Sequence, residues 1–478
     1  MSKVIESAIL FQVENNTFLL DIPYSIALAQ GETAPCKQSA PPTAESSSRT
    51  QTNKSQRKQL LSCPPAKEPF PSTEPKKPSA RAKVLESSPI SERRFHSELI
   101  LPLVKDSLET IRAGVEHDRW CLTRAVPCEE VHEYRVPDHT PSRKRRKGND
   151  STSLQPGPDG HVIKLDEPPM ILSSAAPNIF ESLSELKVAK NPSSEAAIIQ
   201  IGTSHETMSE YLVPPGSSFI LCELPIFNGP DYHAAHENPI PGLSQRFNLI
   251  LMDPPWPNRS VRRSGHYTTN HYSEMNMLTV GMRKILQTHS YRREDITQEL
   301  VESQSGAQIQ SQQSIAAIWI TNAEKSRKAA YHAMSSAGFD VCEEWVWVKT
   351  TLSGQPISAL DGLWRKPYEI LVIGKQRPDF GISASSSRQT DDLTVVSEAV
   401  ATRRVIAAVP DLHSRKPNLK SIFERVFFSS ESSRESYTAL EVFARNLTAG
   451  WWACGNEALK FNARECWVND TTGNWFPE

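Results

Sequence analysis

A four-residue motif, Asp253-Pro254-Pro255-Trp256, directly follows an apolar run, residues 247–252, that has the pattern of a buried strand. In α/β sheets the end of such a strand opens onto the crevice that binds ligands. The Asp253 carboxylate and the Pro254 carbonyl are two acceptors that can hold both hydrogens of an adenine amino group. The nitrogen then keeps its lone pair free to attack a sulfonium methyl group in line. The motif therefore predicts methylation of the adenine amino nitrogen.

The rest of the motif suits the same chemistry. Pro254 and Pro255 stiffen the loop and bring no N–H donors that would compete for the acceptors. Trp256 offers a flat surface on which a base drawn out of its strand can stack. An ionised aspartate suits an amino group, whereas asparagine, which both donates and accepts, suits an amide. The alternative interpretation is a rigid turn after a strand, but these four residues rarely fall at a strand end by chance.

The motif is one of an ordered series, and through that series the sequence resembles the MT-A70 family of adenine methyltransferases, in particular its methyltransferase-like-four subgroup. The resemblance extends from about Ile198 to the C-terminus, and more faintly over the helical segment from Glu92. Its motifs are residues 212–219, 253–264, 319–322, 344–349, 366–369, 413–417, 443–447, 450–451 and 455–457. It implies a Rossmann-like, class I-like methyltransferase fold in circularly permuted order. That order explains why no glycine-rich strand–turn–helix fingerprint precedes the catalytic motif.

The resemblance also implies the cofactor, S-adenosylmethionine, and the residues that bind it. In the family pattern Asp253 holds the cofactor amino group, and Ser414 and Lys416, at the start of a helix predicted from Pro417, hold its carboxylate. The remaining positions surround the ribose and adenine. The implied cofactor residues are Glu223, Leu224, Asp253, Ser414, Lys416, Arg445, Asn446, Asn456 and Glu457. The sequence departs from the subgroup at Glu223, where aspartate is typical, and at Cys222, where serine is typical.

A second set of residues is predicted to contact the substrate. Cations after the catalytic loop suit phosphates on either side of an extruded nucleotide, and tryptophans at strand ends can stack on bases. Such tryptophans are more often part of the core, so the two interpretations of Trp319, Trp345 and Trp347 stay open. The predicted substrate residues are Asn258, Arg259, Arg262, Arg263, Trp347 and Lys349.

Strands alternating with helices after Ile198 predict an α/β domain with a mostly parallel sheet. Before it, the composition changes several times, and we predict partly disordered and partly helical segments. Glu92 begins a helical pattern that Pro102 is expected to break or kink. The predicted segments are a short stretch with a candidate hairpin at 1–30, a disordered linker at 31–91, a helical accessory segment at 92–136, a basic disordered linker at 137–165, an accessory stretch at 166–197 and the methyltransferase domain at 198–478.

The net charge of −2 leaves no global field that attracts polyanions, so nucleic acid must bind at local basic patches. Five consecutive cations, residues 143–147, predict a nuclear-import signal, with a solvated basic run or a nucleic-acid-binding arm as the alternatives. Eight scattered cysteines without a C-x-x-C pair argue against zinc and against a disulfide framework. No segment predicts a signal peptide or a membrane span. We therefore expect a soluble nuclear protein without a metal.

Three functions follow for comparison. The leading one is an enzyme that methylates adenine N6 in RNA, and the subgroup resemblance points to a 2′-O-methylated adenosine of a spliceosomal small nuclear RNA. The second has DNA adenine as substrate. The third is a catalytically inactive methyltransferase fold that binds nucleic acid as a scaffold. Retention of Asp253, Trp256, Lys416, Arg445 and Asn446 favours an enzyme.

Overall fold

The computed structural model describes residues 7–31, 58–116, 119–127, 168–202, 208–224, 238–256, 275–291, 314–363, 365–377, 400, 402–428 and 437–469. The predicted import signal at 143–147 lies outside these residues. None of the helices in these ranges is long and apolar enough to cross a membrane.

A twelve-stranded sheet forms the centre of the molecule. With strands numbered along the chain, its spatial order is β1 (Ile9–Val13), β2 (Thr17–Leu20), β14 (Thr402–Ala408), β12 (Phe339–Lys349), β13 (Tyr368–Gln376), β11 (Ile315–Ile320), β10 (Leu249–Met252), β15 (Ala439–Val442), β16 (Trp452–Cys454), β9 (Ser218–Ile220), β6 (Val188–Lys190) and β4 (Met170–Ile171). Seven of its eleven described strand pairs are parallel, which confirms the predicted α/β class.

The described part also contains two smaller sheets, seven α-helices and several short 3-10 and π-helical turns. The strands β5 (Asn178–Phe180), β7 (Ala197–Ile201) and β8 (Ser209–Val213) form one small sheet, and β3 (Lys58–Leu60) pairs with β17 (Trp467–Asn469). The helices are α1 (Ile22–Ala29), α2 (Pro78–Ser87), α3 (Ile90–Arg94), α4 (Leu101–Gly114), α5 (Met275–His289), α6 (Glu324–Ser336) and α7 (Lys420–Phe423).

The core lies on both faces of the central sheet, because side chains alternate along each strand. On β10, Ile250 and Met252 belong to the apolar cluster that α4, α5 and α6 cover. Leu249 and Leu251 belong to the opposite cluster, which α1 and α7 cover. Helices therefore pack on both faces, as the strand–helix alternation predicts.

Apolar runs at 219–224, 247–252, 316–320, 341–348, 370–373, 405–409 and 439–443 predict seven strands, and all seven are present, as β9 to β15. By residue type, Asn322 and Gly338 predict the start and the end of a helix between β11 and β12. The predicted start of this helix, α6, is wrong: its N-cap is Ala323, and the Asn322 amide donates to the Tyr368 carbonyl at 2.7 Å instead. Its predicted end is confirmed, since Gly338 has a φ of 87°. The helix predicted from Pro417 begins only at Lys420.

The late start of α7 has a local cause. Asn418 is held by contacts outside the helix: its backbone N–H donates to Ser25 Oγ at 3.1 Å and its side-chain amide to Thr448 Oγ1 at 2.8 Å. Its side-chain oxygen accepts from the Lys420 N–H at 3.0 Å, as a residue just before a helix often does. Pro417 therefore ends a loop and does not open a helix.

The N-terminal hairpin is confirmed, with β1 and β2 antiparallel around a turn at 14–16. The sequence did not predict that β2 adds to the central sheet beside β14, nor that α1 follows directly. Asp21 caps α1 by accepting the Tyr24 N–H at 2.9 Å, and its second oxygen accepts the Leu122 N–H at 2.8 Å. The stretch 7–30 is thus part of the same fold as the central sheet.

The prediction of a disordered linker at 31–91 is wrong for residues 58–91, which contain β3, α2 and α3. This segment buries few of its own apolar residues and is instead ordered by polar contacts with distant residues. The Cys63 N–H and the Ser62 hydroxyl both donate to Asp411, at 2.9 and 3.3 Å. Composition indicates whether a segment can fold by itself, so it does not detect order that depends on contacts with distant residues.

Pro102 does not break the helical segment. Helical residues run from α3 through a π-helical turn, Phe95–Ile100, into α4. Pro102 lies in the first turn of α4, where its missing N–H costs little. The accessory stretch predicted at 166–197 is also part of the fold, because β6 pairs with β9 in the central sheet.

Candidate active site

A cavity opens at the edge of the sheet where β10, β11, β14 and β15 end. In this ligand-free structure its volume accessible to water-sized molecules is about 30 Å³. Sheets of this class bind ligands at this edge. The polar or aromatic residues that line it are Asp253, Trp319, Ser414, Lys416, Asn418, Glu441, Phe443, Arg445, Asn446, Trp451 and Phe461.

A chain of alternating charges extends from Asp253 and Lys416, which line the cavity, to Glu369 and Lys349 behind them. Lys416 Nζ lies 3.0 Å from Asp253 Oδ1 and 3.0 Å from Glu369 Oε2. The other oxygen of Glu369 lies 2.6 Å from Lys349 Nζ. Burial alone raises the pKa of Glu369, but Lys349 and Lys416 outweigh it and hold that pKa well below its usual range. Glu369 is therefore ionised near neutral pH.

Lys416 keeps one donor for a ligand. Burial lowers the pKa of this ammonium, but the carboxylates of Asp253 and Glu369 outweigh that effect and raise it above the usual range. An ammonium group has three N–H donors, and these two carboxylates take two of them. The third is available to an anionic group in the cavity.

Arg445 braces the opposite side of Asp253. Its Nε lies 3.1 Å from Glu457 Oε2, and its Nη1 donates to the Ser414 carbonyl at 3.1 Å and lies 3.9 Å from Asp253 Oδ2. Ser414 has a φ of 66°, a left-handed conformation that costs energy for a residue with a Cβ. Arg445 thus joins the loop after β14 to the catalytic motif.

Glu441 is a site residue that sequence reasoning missed. It lies on β15 opposite Leu251 of β10, and its side chain lines the cavity. Burial and the nearby negative charge of Asp253 both raise the pKa of Glu441, whereas Arg445 lowers it. The net result is a pKa of about 8. The signal was a single glutamate inside an otherwise apolar strand, Ala439-Leu440-Glu441-Val442.

We expect Glu441→Gln to change the pH dependence of stability. The unfolded pKa is near 4.5 and the folded value about 8, so between them the folded protein binds more protons than the unfolded chain. The contribution of Glu441 to stability is therefore lost as pH rises from 4.5 to 8 and is constant above 8. The thermal unfolding midpoint of the ligand-free variant should therefore rise relative to that of the wild type as pH increases through this window. Parallel curves from pH 5 to pH 9 would contradict the assignment.

The catalytic motif is held by hydrogen bonds at both ends. The Asp253 N–H donates to the Val442 carbonyl at 3.2 Å, and the Trp256 indole N–H donates to the Trp319 carbonyl at 2.7 Å. The Trp256 backbone N–H donates to the Pro254 carbonyl at 2.8 Å. This last bond corrects the expectation that the Pro254 carbonyl has no competing donor; one of its two lone pairs remains. Trp256 is buried at 5% exposure, so its ring anchors the loop, and base stacking stays a prediction.

The tryptophans at the strand ends pack against each other. Trp319 and Trp347 meet edge to face with ring centroids 6.0 Å apart, and both are buried. Lys349 lies 4.7 Å above the Trp347 ring, and Lys416 lies 5.3 Å from the Trp319 ring. Trp347 Nε1 is buried without a hydrogen-bond partner among the described residues. Trp345 stacks on Phe423 in the core, at a centroid distance of 4.9 Å.

The structure brings together five of the predicted cofactor residues at the cavity: Asp253, Ser414, Lys416, Arg445 and Asn446. Glu457 joins them through Arg445. Glu223, Leu224 and Asn456 do not line it; they follow β9 and β16, which lie three and two strands from β10 and end at the same edge. Their roles stay predictions. Of the predicted substrate residues, Asn258, Arg259, Arg262 and Arg263 lie outside the described residues.

The donors and acceptors of the cavity fit S-adenosylmethionine. An amino-acid end needs an acceptor for its ammonium and a cation for its carboxylate, and Asp253 and Lys416 offer these side by side. The Asn446 amide makes only a long 3.4 Å bond to the adjacent Leu447 carbonyl, which leaves it able to bind a ribose hydroxyl. Among the described residues no group of three or more His, Cys, Asp or Glu side chains could hold a metal ion.

A mostly parallel α/β sheet with an acidic loop at the end of a central strand and a cation facing it defines a Rossmann-like methyltransferase domain. Comparison with known proteins agrees: the MT-A70 family profile matches residues 247–457. An N6-methyladenosine RNA methyltransferase, MTA1, of Cryphonectria parasitica is 31% identical over 347 residues, covering 69% of this chain and 84% of the relative. The chain belongs to the MT-A70 family.

Two animal relatives cover less of their own length. The N(6)-adenine-specific methyltransferase METTL4 of Homo sapiens is 28% identical over 291 residues, which are 60% of this chain and 50% of the relative. A DNA N6-methyl methyltransferase of Caenorhabditis elegans is 24% identical over 251 residues, 52% of this chain and 53% of the relative. The chain thus spans about half the length of these two relatives.

Proposed function

We propose that the protein is an S-adenosylmethionine-dependent methyltransferase that acts on the N6 amino group of adenine in nucleic acid, with RNA as the favoured substrate. The observation that carries the proposal is the position of Asp253. Its carboxylate lines the cavity, 3.0 Å from Lys416, in a motif whose neighbouring carbonyl has a second lone pair for a substrate hydrogen.

Each residue has a physical task in this reaction. Bound S-adenosylmethionine supplies an electrophilic methyl group on a sulfonium sulfur. Asp253 and the Pro254 carbonyl accept the two amino hydrogens of adenine, which points the nitrogen lone pair at that methyl. Lys416 holds the cofactor carboxylate through its third donor, and Glu369 fixes the ammonium in place. Arg445 keeps the loop after β14 against the motif through Ser414.

Substrate choice rests on the relatives and on the local chemistry. One relative is named as an RNA methyltransferase and another as a DNA methyltransferase, so both substrates belong in the test. We favour RNA, and in particular an internal 2′-O-methyladenosine of a small nuclear RNA, as the subgroup resemblance implies. The scaffold alternative is disfavoured because the catalytic carboxylate and the cation that faces it are both present and in contact.

The test is incubation of the purified protein with S-adenosylmethionine labelled in the methyl group. The substrates are single-stranded oligonucleotides of one sequence with a single adenine: RNA with adenosine, RNA with 2′-O-methyladenosine, and DNA with deoxyadenosine. Incorporation into the 2′-O-methylated RNA above the others supports the proposal in full. Preferential labelling of DNA would replace the substrate, and absence of labelling in all three would favour the scaffold.

The basic run supports a second, separate proposal, that the protein enters the nucleus through residues 143–147. Replacing these five residues by alanine should move a fluorescent fusion from the nucleus to the cytoplasm, because import receptors bind clustered cations. The matched control replaces Arg93 and Arg94, two exposed cations on α3, and should leave the distribution unchanged. A variant that stays nuclear without residues 143–147 would refute the import signal.

A further inference from the structure

The helical segment formed by α3, the π-helical turn and α4 lies against the active-site edge of the sheet. The Glu92 side chain accepts the backbone N–H of Glu324 at 2.8 Å. It thus caps the N-terminus of α6, a role usually filled by the residue just before the helix. Ser91 donates to Glu324 Oε1 at 2.8 Å, and the Arg327 guanidinium lies 3.6 Å from the Phe95 ring. This segment is therefore fixed where β11 passes into α6.

His96, in the π-helical turn, makes the deepest contacts of this segment. Its Nε2 lies 2.9 Å from the Asn322 carbonyl oxygen, and its Nδ1 lies 2.9 Å from the Tyr368 hydroxyl. A carbonyl oxygen only accepts, so Nε2 carries the hydrogen, and Nδ1 accepts from the Tyr368 O–H. Burial lowers the pKa of His96 to about 4, so the ring is neutral at pH 7 and keeps this single tautomer.

The two residues that His96 contacts are close in the chain to residues of the active site. Tyr368 precedes Glu369, whose carboxylate joins Lys349 to Lys416. Asn322 follows the β11 end at which the Trp319 carbonyl holds the Trp256 indole. Asn322 also donates to the Tyr368 carbonyl at 2.7 Å, so the ends of β11 and β13 are tied to each other as well as to His96.

From this geometry we propose that His96 is a positioning residue of the methyltransferase site: its two hydrogen bonds fix the ends of β11 and β13, and through them Glu369, Lys416 and the Asp253–Trp256 loop. The inference rests on the proposed function for its activity readout. It also gives the N-terminal helical segment a role within the active site, distinct from contact with substrate.

The competing explanation is a purely structural contact, and three variants of the full chain separate the two. His96→Leu fills similar space but leaves the Tyr368 hydroxyl and the Asn322 carbonyl without their partner. His96→Gln keeps an amide donor for the Asn322 carbonyl. Ser91→Ala removes a hydrogen bond between the same helical segment and α6 without touching Asn322 or Tyr368, and serves as the matched control.

Two quantities are measured below the unfolding temperature of every variant. The first is kcat and KM with the oligonucleotide that the wild type labels. The second is hydrogen–deuterium exchange of the backbone amides at 319–322 and 368–371. We expect His96→Leu to lower kcat by about tenfold or more, because the strand ends lose the hydrogen bonds that fix them. KM for the oligonucleotide should stay nearly unchanged. Exchange at both strand ends should quicken, His96→Gln should recover most of kcat, and Ser91→Ala should match the wild type.

A wild-type kcat in His96→Leu, with only a lower melting temperature, would overturn the proposal and leave a structural contact. An equal loss in Ser91→Ala would also overturn it, because the effect would then belong to the helix as a whole. If the wild type labels no oligonucleotide, the proposed function fails on its own. The exchange experiment still decides the positioning role, and unchanged exchange at 368–371 in His96→Leu would refute it.

Discussion

Replacing Asp253 by asparagine is expected to lower methyl transfer about a thousandfold, the upper range for removing one preorganised polar group from an active site. Asparagine has the same shape but carries no charge, and its NH₂ group would meet the adenine NH₂ group donor to donor. Lys416 keeps Glu369 as a partner, so the fold should persist. The measurement is the initial rate of label transfer to the oligonucleotide that the wild type prefers.

Asp340→Asn is the matched control for this variant. It makes the same chemical change at an exposed carboxylate of β12 that pairs with Arg377 at 3.1 Å on the surface, far from the cavity lining. Its rate should equal that of the wild type. Undiminished transfer by Asp253→Asn would remove the catalytic role of the motif.

The second large effect is expected from Lys416→Ala, which should weaken binding of S-adenosylmethionine by about tenfold to a hundredfold, as loss of a hydrogen bond between charged groups implies. The variant also removes the cation that lies between Asp253 and Glu369, so that Asp253 is left with Arg445 at 3.9 Å and Glu369 with Lys349 at 2.6 Å. Titration calorimetry, in which S-adenosylmethionine is added to the ligand-free protein, measures the affinity directly. A lower melting temperature should accompany the loss, since buried charges that lose a partner are costly.

Two further variants serve as controls for the loss of affinity in Lys416→Ala. Lys420→Ala removes a cation on α7 that donates to the Ala449 carbonyl and does not line the cavity, so cofactor affinity should stay within about twofold of the wild type. Lys416→Arg keeps the charge and tests whether the fold tolerates the position. Equal affinities in Lys416→Ala and the wild type would show that the carboxylate site lies elsewhere.

Sequence alone predicted the seven apolar strands after residue 198 because strands buried on both faces are continuous hydrophobic runs. The family resemblance implied that Asp253, Lys416 and Arg445 share one cofactor site, and the structure brings them together. Glu369 stood inside a recognised motif without an assigned role. Its role depends on Lys349 and Lys416, which lie 20 and 47 positions away, and no local pattern records such a pairing.

Errors occurred where distant contacts override local signals. Residues 58–91 have the composition of a disordered linker, yet β17 and Asp411 order part of them. Asn322 has the type of a helix cap, but its amide is taken by Tyr368 while Glu92 caps α6. Composition and propensity describe a segment in isolation, and these segments are stable only in contact with the rest of the chain.

The central claim is that Asp253 and the Pro254 carbonyl hold the adenine NH₂ group so that its nitrogen is methylated. The most direct test is to digest the labelled oligonucleotide to nucleosides and identify the labelled atom by mass spectrometry, for the wild type and for Asp253→Asn in parallel. The account predicts label on N6 of adenine in the wild type and none above background in the variant. Label on a ring nitrogen, on a ribose oxygen or on another base, or N6 label at the wild-type level in Asp253→Asn, would contradict it.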